Sequence, residues 1–99
     1  MTNVDVVEVT KFETRSGEEE LFRRGMETGL PILVRQEGYI SHEFGTDLDQ
    51  PLTYWLTVHW QTLQHHTEGF QKSADFQAFV ANFRPYLTRP ASLSHFSPE

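Results

Sequence analysis

The 99-residue chain contains no cysteine, which excludes disulfides, thiolate metal sites, iron–sulfur clusters and a cysteine nucleophile. Basic residues are few: eight Lys and Arg stand against fourteen Asp and Glu, for a formal net charge of −6. They are also scattered, so a phosphate-backbone partner is not expected. No apolar run approaches the roughly 18 residues of a membrane span, and MTNVDVVEVT lacks the basic-then-apolar order of a secretion signal. The expectation is a cytoplasmic protein with neither nucleic acid nor a membrane as partner. HExxH, HxxEH, GxGxxG and Walker-type loops are also missing, so no metal, flavin or nucleotide cofactor is expected.

What remains reads as a single domain over residues 1–99, without linker or repeat. Val4, Val6, Val7, Val9 and Phe12 make residues 4–12 a strand. Ser16 with Glu19 fits a capping box opening a helix, whose stripe is Leu21, Phe22, Met26, Leu30, Leu33 and Val34. Gly38 fits the end of that helix; Tyr39 to Thr46 and Leu52 to Trp60 read as a hairpin around turn residues 47–51. Thr62 is placed to cap a short helix ending at Gly69. Ser73 then caps a longer one carrying Phe76, Phe79, Val80, Phe83 and Leu87. Residues 91–97 supply a last strand. The order β-α-β-β-α-β with short connections predicts an α+β, ferredoxin-like split βαβ fold, a four-stranded antiparallel sheet covered by two helices.

Several segments resemble the antibiotic biosynthesis monooxygenase domain family in order and spacing: VVEVTKF, SGEEELF, QEGYISHEF, QPLTYWLTVHW, HTEGF, SADFQAFVANFRPYL and SLSHF. The resemblance covers almost the whole chain. It implies a dimeric α+β barrel, in which two sheets pack face to face in a two-fold homodimer with the helices outside. Trp55, on the strand face opposite Tyr54, Leu56, Val58 and Trp60, fits a sheet buried on both faces.

The resemblance makes His66, the His of HTEGF, the leading catalytic candidate: an imidazole that accepts a phenolic or enolic proton near neutral pH. The plainer alternative is a histidine that holds the strand-to-helix connection. His59 stands where family members often have Glu, and it is expected to approach His66 across the bend and assist it, the alternative being a strand histidine with a backbone partner. Trp55, Phe70, His42, Phe83 and Tyr86 are expected to line a substrate pocket. The helical period of Phe83 also explains it as core, and His42 is equally consistent with a sheet interface. His65 is expected to be exposed and His95 structural. A metal site built from His59, His66 and Glu68 is set aside for want of a complete ligand pattern.

By resemblance, the expected activity is that of a cofactor-independent monooxygenase acting on a quinol or other electron-rich aromatic small molecule with dioxygen. Two readings compete with it. One is a non-catalytic small-molecule-binding or stress-response barrel protein. The other, a haem-degrading enzyme, is disfavoured because no histidine falls between His66 and His95.

Overall fold

Strict alternation in the strand sequences builds the sheet. In TYWLTVHW, Tyr54, Leu56, Val58 and Trp60 are buried against the helices, while Trp55, Thr57 and His59 point to the other face. The computed structural model describes residues 6–99; Val4, assigned above to the first strand, lies outside them. The elements are β1 (Val6–Glu13), α1 (Glu19–Val34), β2 (Tyr39–Thr46), β3 (Thr53–Trp60), a π-helical turn (His65–Phe70), α2 (Ala74–Ala81), a short 3₁₀ turn (Arg84–Tyr86) and β4 (Ser92–Phe96). The four strands form one antiparallel sheet in the order β2-β3-β1-β4. This is the α+β arrangement that the element order predicts.

Both helices lie on one face. α1 buries Phe22, Met26, Gly29 and Leu33 at alternating steps of four and three, the spacing of a helix stripe. It starts later than the capping-box reading requires. Gly17, at φ +89°, turns the chain, and Glu19 accepts a hydrogen bond from the Gly17 N–H at 2.7 Å instead of serving a cap at Ser16. Pro31 lies inside the helix, exposed, and the helix runs on to Val34. α1 crosses α2 at very close range. A Cβ on Gly25 would lie 2.0 Å from the Asn82 carbonyl oxygen, a backbone atom that cannot swing aside.

α2 is shorter than its apolar period suggests. Ser73 caps it as expected, its hydroxyl accepting from the Phe76 N–H at 3.1 Å. It stops at Ala81, and the chain then tightens into the 3₁₀ turn containing Pro85. Proline has no N–H to give and disfavours helix in the residue before it.

Among the described residues, nothing covers the far face of the sheet. Val9, Lys11, Thr57 and His59 lie there, together with the more exposed Trp55 and Phe96. Val7 belongs to this face as well, and it is buried between its register partners His59 and Phe96.

Candidate active site

The same alternation that makes β1 a strand sends Glu8 and Thr10 to the helix side with Phe12, where both are buried. A carboxylate taken out of water needs donors, and two hydrogen bonds reach this one, with an imidazole close by. Thr10 Oγ1 donates to Glu8 Oε2 at 2.6 Å, and Trp60 Nε1–H, from the end of β3, donates to Oε1 at 3.0 Å. His66 Nε2 lies 3.3 Å from the same Oε1.

His66 reaches this position because the chain after β3 opens into a π-helical turn. The Thr62 hydroxyl accepts the His65 N–H at 3.1 Å, and the Gln71 N–H reaches back five residues to the His66 carbonyl at 2.8 Å. Such wide turns recur at functional sites because they re-aim side chains within a helix. Here His66 and Phe70 both turn inward and are almost wholly buried. The His66 ring stacks on Trp60, 5.1 Å between centroids and 11° between planes. Its Nδ1 lies 2.8 Å from Nε2 of His95, which projects from β4 as the register partner of Glu8.

The donor pattern assigns the tautomers. Thr10 and Trp60 both treat Glu8 as an acceptor, and the tautomer that suits this has His66 carrying its proton on Nε2, toward the carboxylate, and accepting at Nδ1 from the Nε2–H of His95. Burial favours uncharged imidazoles. The pKa of His66 is pushed down to about 4, by desolvation first and by His95 second, and burial also lowers that of His95. Glu8 is pushed above the usual carboxylate value by burial, against the opposing hydrogen bonds from Thr10 and Trp60.

Two adjoining cavities lie beside this cluster. The outer one, about 570 Å³, opens among Gln71, Arg84, Thr88, Arg89 and Pro90. The inner one, about 70 Å³, is lined by Glu8, Thr10, His66 and Phe70. Phe76, Val80, Phe83, Ala91 and Leu93 wall both. The result is an apolar passage with cations at its mouth and a carboxylate–imidazole pair at its foot, the common plan of a small-molecule site. Among the described residues, no group of three His, Asp or Glu side chains is arranged to hold a metal ion.

A family model for antibiotic biosynthesis monooxygenases matches residues 5–82. The chain belongs to this family. The YczJ protein of Bacillus subtilis (strain 168) is 31% identical over 91 residues, spanning 92% of this chain and 96% of its own. A solved structure from Bordetella bronchiseptica that carries the family's name superposes with a TM-score of 0.92 at 24% identity, covering 97% of this chain and 98% of that one. SnoaB of Streptomyces nogalater, a cofactor-independent oxygenase, superposes with a TM-score of 0.81 at 18% identity, covering 97% and 94%. At these identities the two structures speak for a shared fold.

Within this monooxygenase-family fold, the residues singled out from sequence separate into two groups. His66, Phe70 and Phe83 meet at the cavities. His59 and Trp55 do not join them. Both sit on the far face of the sheet, His59 opposite Val7 and Ser41, and Trp55 donating from Nε1 to Asp47 Oδ2 at 2.6 Å. The expected approach of His59 to His66 is therefore absent, because the period of two that buries Trp60 turns its neighbour away. His42 lies on the helix side of the edge strand β2, with Nδ1 2.6 Å from Tyr39 Oη, and Tyr86 packs at the edge of the core; neither lines these two cavities. His65 is half-buried, not exposed, because its ring packs where a Cβ on Gly38 would stand.

Glu8, Thr10 and Trp60 are additions to the site expected from sequence, and His95, expected to be structural, meets His66 there. A signal was present in VVEVTKF, where alternation puts two polar residues on the same face as Phe12.

The buried histidine gives a stability prediction. The pKa of His66 in the folded protein lies below the ordinary 6.5, at about 4, so its contribution is present above pH 6.5 and is lost as pH falls toward 4. Glu8 works in the opposite sense: its raised pKa lets the folded state bind that proton first, which offsets part of the loss. Denaturant titrations are expected to show a net loss of about 1–3 kcal/mol across this window, with a flatter profile in His66→Gln. An equally steep profile in the variant would assign the loss to another group.

Proposed function

We propose that the protein is a cofactor-independent monooxygenase that oxidises a quinol or other electron-rich aromatic small molecule with dioxygen. The observation that carries this reading is the apolar passage ending on the Glu8–His66 pair. Family membership and the oxygenase SnoaB among its structural relatives support it. Such chemistry asks little more of a protein than the passage offers. The site removes a proton from the hydroxyl of the substrate, and the electron-rich anion passes one electron to O₂. Superoxide and the aryloxyl radical then join as a peroxide at a hydrogen-bearing ring carbon ortho or para to the oxygen. The stored proton returns to the peroxide, the C–H proton at that carbon departs, and cleavage of the O–O bond leaves a quinone and water. The substrate supplies every electron, while the protein supplies orientation, a dry pocket and a place for the proton.

We further propose that two copies associate through the uncovered sheet face, where Val9, Trp55 and Phe96 lie beside polar neighbours. Light scattering at micromolar concentration is expected to give the mass of a dimer. A monomer mass would contradict this assembly.

The activity is tested by oxygen uptake with 1-naphthol, whose para position is free. Stoichiometric uptake is expected, with a single atom from labelled dioxygen in the resulting naphthoquinone and the other in water. If naphthols bind without oxygen uptake across a series of hydroxyarenes, the protein is a binding protein and the oxygenase reading falls.

A further inference from the structure

His66 has little left to offer a ligand. Its Nε2 faces Glu8 at 3.3 Å, its Nδ1 faces His95 at 2.8 Å, and one ring face is covered by Trp60. Glu8 is differently placed. Its Oε1 accepts from Trp60 and lies beside His66 Nε2, while among the described residues Oε2 has a single partner, Thr10 Oγ1. A carboxylate oxygen accepts two hydrogen bonds, so Oε2 has capacity to spare. Glu8 and Thr10 both line the inner cavity, and among the described residues Glu8 is the only carboxylate in the walls of either cavity.

We infer that Glu8 is the catalytic base, taking the hydroxyl proton of the substrate on Oε2, and that His66 is a positioning residue that acts through Glu8 and is held in place by His95. The inference rests on the oxygenase reading of the cavity and assigns the proton-accepting group within it. In the step itself, the O–H bond of the substrate breaks, its electron pair stays on the substrate oxygen, and a new O–H bond forms on Glu8. Thr10 rotates its hydroxyl to keep its own hydrogen bond. The proton later leaves Glu8 for the peroxide, so the carboxylate is restored in each cycle and no external acid is consumed. The surroundings suit this role. Leu33, Phe79 and Phe83 keep the inner cavity apolar, which makes a carboxylate more basic than it is in water. The titratable groups facing Glu8 are His66 from the π-turn and His95 from β4, while β3 presents Trp60. Arg84 and Arg89 stand further out, at the mouth.

Naphthols test this without turnover, because light makes them strong acids and their neutral and anionic forms emit at different wavelengths. Under nitrogen, 1-naphthol bound to the wild-type protein is expected to show the anion emission, since a base lies within reach. Glu8→Gln should show the neutral emission. Glu8→Asp, which keeps the charge but withdraws it by one methylene, should show a reduced anion band and covers the case in which Glu8→Gln fails to fold. His66→Gln should retain the anion band. In aerobic assays Glu8→Gln is expected to lose about 10²-fold to 10⁴-fold in turnover, the scale of a positioned base. His66→Ala should instead move the acid limb of kcat/KM to higher pH, because the carboxylate loses a neighbouring donor, and His66→Gln should move it back.

An anion band that survives in Glu8→Gln and disappears in His66→Gln would overturn the assignment in favour of His66. A wild-type complex with neutral emission alone would show that no base reaches the ligand, and naphthol that does not bind would remove the site altogether. If the anion band depends on Glu8 but no hydroxyarene consumes oxygen, the proton acceptor stands and the oxygenase reading falls.

Discussion

The buried carboxylate of Glu8 is the constraint that organises this structure. Removing an ionised carboxylate from water costs several kcal/mol unless donors replace the lost hydration, and the donors here come from different parts of the chain. Thr10 is on the same strand, Trp60 ends β3, and His66 comes from the connection that follows. His95 completes the set from β4, so one charge links three strands of the sheet to the turn that leads into α2. The π-helical form of that turn fits this demand. Within it His66 and Phe70, four residues apart, face inward together, as i and i+4 do on any helical turn, while Thr62 satisfies the start of the segment.

Around this polar centre the packing is almost wholly aromatic. Phe70 meets Phe76 edge-on and Phe79 at a tilt, and Phe79 continues edge-on to Phe83. Edge-to-face contacts of this kind add to area burial and hold rings in defined orientations. Together with Leu33 and Val80 they line the inner cavity with apolar atoms, and in such surroundings weak dielectric screening strengthens interactions with a developing charge. A phenolate formed there would meet apolar walls and a cluster of oriented hydrogen bonds, an environment suited to substrate-driven oxygen chemistry.

Much of the fold was legible because its signals are local and repetitive. The period of two in TYWLTVHW and the stripe from Phe22 to Leu33 define elements almost independently of context. Boundaries were harder where a single residue overrides a pattern. Gly17 delays α1, and the 3₁₀ turn at Pro85 interrupts an apolar period that runs on to Leu87. The site was half legible. His66, Phe70 and Phe83 could be picked out one by one, but their partner Glu8 sits in a strand 58 residues before His66, and only the antiparallel register of β1 with β3 and β4 brings it into place. His59 misled for the opposite reason. It is near His66 in sequence and belongs to the other side of the sheet, so chain proximity and spatial proximity disagree.

The central claim is that a neutral His66 donates toward an acceptor carboxylate deep in the fold. Nitrogen-15 NMR of the histidine rings tests it most directly, since the ring nitrogens report both charge and tautomer. The account predicts that His66 holds its proton on Nε2 and stays neutral as pH is lowered through 6.5, titrating only near 4. An imidazolium signal for His66 at neutral pH, or a proton on Nδ1 in place of Nε2, would contradict it.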